Sequence, residues 1–439
     1  MLGLMAVLGA MLVGTVWVGT SGDDDITGTS DGETIDGLNG DDIIRGNGGD
    51  DLLLGGRGDD NIQGGAGDDD IQGQNGADRL FGSIGDDTIT GRGGADLILG
   101  GDGNDVMAGG SQNDNLFGGA GDDTGTGNNG NDLLVGAAGA DNLNGNFGND
   151  RVLGGPGDDI VNGGFGVDLV SGGAGNDTVG GGGGADRVFG GAGNDDMQGG
   201  DGDDLMLGAD GNDTMIGNQG ADRMFGGNGE DRITGFTGDD ELFGGNGADR
   251  LFGGAGDDFA RGGQGNDRLF GFDDNDHLIG DAGGDRLFGG AGDDVLDGGL
   301  GQDRLFGEAG DDFLMAGDFR GENAGSRMNG GDGADTFAFN QAHDQQFAED
   351  YTPGTDQLAM IYDAAAGAPT IVLAATTGGV GGTGVAINID RPGAGLEQIG
   401  VLRGVDVADV DPSDFTLIPD TDLQAYITAT LTGGPVALP

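Results

Sequence analysis

A period of nine residues, held without insertion or deletion through most of the chain, restricts the possible folds more than any other feature of this sequence. The consensus is G-G-x-G-x-D-x-U-x, with U aliphatic, and Gly244-Gly245-Asn246-Gly247-Ala248-Asp249-Arg250-Leu251-Phe252 is one clean copy. Steps of nine from Ile26 to Leu314 make thirty-three units in one register. The sixth position is Asp in every unit but one, which has Glu33. At the fourth position Gly fails only at Asp31, Gln112 and Asp274, and at the eighth a bulky aliphatic is missing only at Gly125 and Ala260. Fixed-period self-similarity of this kind belongs to solenoids and arrays.

Each recurring residue type has a physical reason. Glycines at the first, second and fourth positions permit positive φ and close backbone approach, so six residues are expected to form a tight turn. The remaining three, x-U-x, suit a very short strand with U inward and its neighbours outward. Two units then make one coil of eighteen residues. The fold class predicted is all-β, a parallel β-roll (a right-handed β-solenoid of 18 residues per coil) with a small C-terminal β capping domain. Stacked at about 4.8 Å, roughly 16 coils would give a rod on the order of 75 Å long, cored by a thin double row of Ile, Leu, Val and Met. Gly125 leaves a gap between Met107 and Leu143 in that row, and Gly125→Leu is expected to fill it and stabilise the calcium form.

Turns on each edge lie above one another at a spacing of eighteen. One ladder runs through Asp24, Asp42, Asp60, Asp78, Asp96, Asp114, Asp132, Asp150, Asp168, Asp186, Asp204, Asp222, Asp240, Asp258, Asp276, Asp294 and Asp312, with Asp335 beyond a break in spacing. The other runs through Asp51, Asp69, Asp87, Asp105, Asp123, Asp141, Asp159, Asp177, Asp195, Asp213, Asp231, Asp249, Asp267, Asp285 and Asp303. Without cations these carboxylates would repel one another and the turn carbonyls would lack partners. A hard divalent ion that accepts six to eight oxygens in flexible geometry fits; Mg²⁺ dehydrates too reluctantly and Zn²⁺ prefers His or Cys. The ion expected is Ca²⁺, held by these aspartates. If each site needs a unit and the unit two further on, the regular roll holds at most about 31 ions. The chain carries 78 acidic and 17 basic residues for a net charge of -61, which excludes nucleic acid bound through its phosphates. With no cysteine, disulfides and thiolate metal sites are excluded as well.

The nonapeptide units, which cover residues 22 to about 338, resemble those of the RTX (repeats-in-toxin, hemolysin-type calcium-binding repeat) family, whose proteins leave the cell by type I secretion. The resemblance implies calcium held between successive turns by the Asp carboxylates and turn carbonyls. It also implies a chain that stays unfolded in the calcium-poor cytosol, meets the type I transporter during export, and folds on reaching external calcium.

Four segments are expected: residues 1–21 as an apolar N-terminal cap or anchor, 22–316 as the calcium-binding roll, 317–338 as an interrupted last repeat, and 339–439 as a C-terminal cap that also holds the secretion signal. Residues 1–18 are uncharged and read first as a cap, with a membrane or surface anchor and then a cleaved leader as the alternatives. The last repeat, Gly330 to Ala338 with Asp335 and Phe337, comes five residues late, and the excess is expected near Gly317 to Asn329. Thr370 to Ala374, Val385 to Ile389 and Asp414 to Ile418 read as strands.

No catalytic machinery is expected. The only histidines are His277 and His343, so H-E-x-x-H is missing. Gly28-Thr29-Ser30-Asp31-Gly32 fits G-x-S-x-G, yet it lies within the repeat and precedes no helix. A run of Asp-Arg-Leu-Phe aligns Arg250, Arg268, Arg286 and Arg304 in one outward column and Phe252, Phe270, Phe288 and Phe306 in another. Either the Phe tucks against turn glycines with Arg over it, or the stripe is a contact surface for a partner, a cell surface or another copy. The function expected is therefore a secreted, calcium-dependent structural or cell-surface protein, with a calcium-dependent adhesin or matrix protein as the rival.

Overall fold

The computed structural model describes residues 15–317, 325–340, 346–362, 370–379, 382–391, 395–403, 410 and 415–419. It divides into two units, Met1–Asp196 and Met197–Pro439, and the same local structure recurs in each. Within each unit, through Leu314, strands follow one another every nine residues and pair in parallel with the strand eighteen residues on, so alternate strands build two sheets. In the first unit Leu97–Asp102 pairs with Asn115–Ala120, Ile98 opposite Leu116. In the second, Arg250–Ala255 pairs with Arg268–Asp273, Leu251 opposite Leu269.

Most strands of the roll are six residues long, twice the expected length. They include x-U-x and run on through the first three positions of the next unit, as in Arg250-Leu251-Phe252-Gly253-Gly254-Ala255. Only Gly-x-Asp is left for the turn. Glycine at the first position does not break the strand because its φ is not positive. What bars a side chain there is crowding, described with the site below.

Positive φ belongs to the second and fourth positions. Every non-glycine at positive φ among the described residues falls on one of them, from Leu38 (78°) and Asn47 (76°) to Gln112 (80°) and Asp274 (75°). The fourth position also lies against the coil before it: a Cβ on Gly67 would sit 2.5 Å from the carbonyl oxygen of Gly49.

The eighth-position side chains form the core. Ile35, Leu53, Leu80, Val188, Leu242, Leu251, Leu269 and Leu287 are fully buried. The two rows meet: a Cβ on Gly125 would lie 2.8 Å from Leu143 Cδ2 in its own sheet and 3.7 Å from Leu134 Cδ2 in the other. The gap expected at Gly125 is thus already narrowed by Leu143: a methyl group fits only when the Leu143 side chain shifts aside, and a leucine does not fit.

Coil building begins earlier and ends later than the sequence pattern indicates. Thr15–Val18 pairs in parallel with residues 33–36, Trp17 opposite Ile35, while residues 1–14 lie outside the described residues. After Leu314 the register step is 23 residues, Leu305 opposite Met328 and Leu314 opposite Phe337, so the five extra residues precede Ser326. Another coil follows, with Phe337 opposite Leu358. The expected terminal strands are present as Thr370–Gly379, Gly382–Arg391 and Phe415–Pro419. The first two pair antiparallel, unlike the roll. Residues 420–439 and His343 lie outside the described residues. No helix among the described residues is long and apolar enough to cross a membrane.

Candidate metal centre

The sixth-position aspartates are set by the end of the turn, one residue before the next strand, and their side chains point inward. From Asp42 to Asp312 each is at most 3 % exposed. One carboxylate oxygen is engaged. Oδ1 accepts the backbone N–H of the aspartate one coil earlier, as from Asp24 to Asp42 (2.7 Å), Asp60 to Asp78 (2.8 Å), Asp222 to Asp240 (2.8 Å) and Asp258 to Asp276 (2.9 Å).

The second oxygen is not. Oδ2 is buried and receives no hydrogen bond at Asp42 and every ninth residue through Asp177, and again from Asp222 through Asp312. It faces two backbone elements. A Cβ built on Gly163, first in its unit, would lie 2.5 Å from Asp168 Oδ2 and 2.7 Å from the Gly181 carbonyl oxygen; on Gly280 the corresponding distances to Asp285 Oδ2 and the Gly298 oxygen are 2.5 and 2.6 Å. Two acceptors from adjacent coils converge on glycine with no donor between them. Each carboxylate thus engages the coil before it through Oδ1 and confronts the coil after it through Oδ2.

Such an arrangement is costly without a positive charge. Burial is the largest cause pushing these carboxyls up, opposed by the N–H bond to Oδ1 and reinforced by the acids stacked above and below. Asp60 reaches about 6, Asp78 about 7, Asp240 and Asp285 about 8, and Asp276 about 9. Among the described residues no three carboxylates or imidazoles gather into one metal-holding group. An ion placed here would draw on one or two carboxylates and take the rest of its oxygens from the backbone. Ca²⁺ accepts carbonyl ligands in flexible geometry, so the orphaned oxygens and the glycine-lined space fit it.

The expected ladder residues are therefore brought together one coil apart, with differences at the ends. Asp24 is only half-buried, and its Oδ2 accepts the N–H and hydroxyl of Thr20 at 2.6 and 2.9 Å. Asp335 continues its ladder, accepting the N–H of Asp312 at 3.1 Å. The pattern missed Asp356, whose Oδ1 accepts the N–H of Asp335 at 3.2 Å; the string Gly354-Thr355-Asp356-Gln357-Leu358 has the fourth, sixth and eighth residues of a unit. On the other edge the pattern missed Ser326, whose hydroxyl oxygen accepts the N–H of Asp303 at 3.0 Å. Gln346 stands one coil beyond it, buried, just before Phe347, whose N–H donates to the Ser326 carbonyl.

A second, exposed ladder at the fifth position was not foreseen. There the side chain accepts from the following coil, in the opposite sense: Asp59 N–H to Asp41 Oδ1 (2.9 Å), Asn104 N–H to Asp86 Oδ1 (2.8 Å), Asp122 N–H to Asn104 Oδ1 (2.7 Å). The frequent Asp and Asn at that position were its sign.

The Phe column stacks on itself. Rings of Phe252 and Phe270, Phe270 and Phe288, and Phe288 and Phe306 are 5.1, 4.9 and 4.9 Å apart and nearly parallel. All four are half-buried, while Arg250, Arg268, Arg286 and Arg304 are exposed. Arg232 lies 4.4 Å over the Phe252 ring.

The model of the RTX calcium-binding nonapeptide repeat matches in overlapping copies that tile residues 18–322. The chain belongs to the RTX calcium-binding repeat family. No curated protein matches it. Among solved structures, the extracellular lipase LipA from Serratia marcescens is similar at 17 % identity with a TM-score of 0.19, over 53 % of this RTX chain and 40 % of the lipase chain. This chain thus spans less than half of that lipase's length.

Proposed function

We propose that this RTX protein is a calcium-dependent β-roll whose biochemical activity is calcium binding itself, in a structural or cell-surface role outside the cell. The observation that carries the reading is the repeated buried Oδ2 without a donor, facing a backbone carbonyl of the next coil. Bound calcium supplies positive charge and up to eight oxygen positions between such groups. The sixth-position aspartates from Asp42 to Asp312 would hold it through Oδ2, and the first-position glycines leave space for it. Their Oδ1 atoms fix the carboxylate against the previous coil, so each aspartate can engage an ion only once its neighbour is in place. With a net charge of -61, an ion-free chain repels itself, which supports folding after export into a calcium-rich medium and localisation outside the cell. Type I secretion is the route that family membership supports. A partner-binding role for the Phe252 to Phe306 stripe has less support, because those rings already cover one another.

Circular dichroism of the refolded chain at pH 8 tests the reading. In chelator a disordered spectrum is expected, and about millimolar calcium, the range of extracellular calcium modules, should restore β structure. A β spectrum of equal strength in chelator would sink it.

A further inference from the structure

The peptide joining the first and second positions has two orientations in this chain. In interior turns the second-position N–H points away from the carboxylate, toward the ninth-position side chain: Leu38 N–H donates to Asp36 Oδ1 (3.1 Å), Asn146 to Asn144 Oδ1 (3.0 Å), and Gly299 to Asp297 Oδ1 (3.0 Å). At three turns it points the other way. Thr20 N–H donates to Asp24 Oδ2 (2.6 Å), Thr29 N–H to Glu33 Oε2 (3.0 Å) and Thr352 N–H to Asp356 Oδ2 (2.6 Å). The hydroxyls of Thr20 and Thr29 add a second bond to the same carboxylates.

These three turns are ladder ends; the fourth end, at Ser326, has no carboxylate. Asp24 and Glu33 open the acidic ladders, and Asp356 closes the longer one. All three have threonine at the second position, and no unit with its acidic residue from Asp42 to Asp335 does. The backbone accounts for the correlation. Interior second positions adopt positive φ even when occupied by Leu38, Asn146 or Phe236, whereas Thr20, Thr29 and Thr352 do not. A β-branched residue is strongly disfavoured there. Reversing the sign of that φ is what turning the preceding peptide over does, and it exchanges an inward carbonyl for an inward N–H.

We propose that the turns ending at Asp24, Glu33 and Asp356 take no calcium, because the chain's own threonine donors occupy the carboxylate oxygen that interior turns leave open. The inference rests on calcium occupying the interior turns. It confines the ions to the stretch between Asp42 and Asp335 and leaves both ends of the roll closed by hydrogen bonds that need no metal. Threonine at the second position marks a closed turn.

Counting calcium on the folded full-length chain by native mass spectrometry tests this. Thr20→Gly, Thr352→Gly and the pair Thr29→Gly with Glu33→Asp should each bind one calcium more than the unsubstituted chain. Gly173→Thr, the reverse change in an interior turn, should bind one fewer. An unsubstituted chain that binds many ions while all three end variants bind the same number would overturn the inference and leave the calcium reading standing. An unsubstituted chain that binds none would overturn the calcium reading and this inference with it. The end variants keep the test decisive if Gly173→Thr does not fold, because they relax a turn to the conformation its neighbours already have.

Discussion

Replacing Asp240 by Asn separates the two effects of a buried carboxylate. Its Oδ1 accepts the N–H of Asp222 at 2.8 Å, a bond the amide oxygen can keep. Its Oδ2 is buried without a donor, and a Cβ on Gly235 would lie against that atom and 2.9 Å from the Gly253 oxygen. In the variant an N–H₂ faces that carbonyl instead. Burial lifts the Asp240 carboxyl from 3.8 to about 8. At about 1.4 kcal/mol per pKa unit, ionising it costs the calcium-free fold on the order of 5 kcal/mol at pH 9, an upper bound because the site can relax. Asp240→Asn carries no such cost, so it should stabilise the fold in chelator while weakening calcium binding. The assay is circular dichroism at pH 9 in chelator, with sucrose added to bring the transition into range, beside a calcium titration and an ion count. Expected are more β structure in chelator, a higher calcium midpoint and at least one fewer ion. Loss of stability in both conditions, or an unchanged ion count, would refute the assignment of Oδ2 as a ligand.

Acid should partly stand in for calcium. Burial pushes interior carboxyls up from 3.8, to about 6 at Asp60, 7 at Asp78, 8 at Asp240 and 9 at Asp276, so the stabilisation from protonating these four is complete below about 4 and is lost as pH rises through 6 to 9. In chelator, β structure should increase as pH falls from 9 toward 5, and a flat or opposite trend would count against it. Glycine should be favoured over alanine at two positions of the repeat for different reasons, read by calcium titration at the first and by urea denaturation in calcium at the second. Gly280→Ala puts a methyl 2.5 Å from Asp285 Oδ2 and 2.6 Å from the Gly298 oxygen and should raise the calcium midpoint several-fold. Ala137→Gly relieves a left-handed alanine at φ 84° and should stabilise by about 0.5 to 1 kcal/mol after the added chain entropy; a loss of stability would contradict the conformational account. In the core, Gly125→Ala should stabilise by about 1 kcal/mol as Leu143 shifts aside, whereas Gly125→Leu should destabilise by about 1 to 3 kcal/mol through overpacking, measured the same way.

The eighteen-residue coil, the inward eighth position and the aspartate ladders were legible because one period repeated them until chance was excluded. Strand length was not, since a glycine pair reads as a turn although Gly253 and Gly254 extend a strand. The first-position glycine illustrates why: its need comes from an oxygen five residues later and a carbonyl eighteen residues later, and neither leaves a local trace. Asp356 escaped because Tyr351-Thr352 stands where two glycines are usual and the step from Asp335 is 21 residues. Ser326 escaped because a serine hydroxyl accepts the same ladder bond without looking like an acid. The sense of the fifth-position ladder, opposite to that of the sixth, is a property of three dimensions alone.

The fixed pairing of residue i with i + 18 leaves the chain indifferent to how many times the motif is copied. Within either unit, excision or duplication of one eighteen-residue block rejoins Asp to Asp and leucine-class to leucine-class across the scar, whereas a block of nine would bring the two sheets' outer decorations, such as the phenylalanine column from Phe252 to Phe306, onto the opposite face. Such a protein can lengthen or shorten by whole coils over generations without first inventing a new interior, and its terminal closures remain in place whatever the number of coils they enclose.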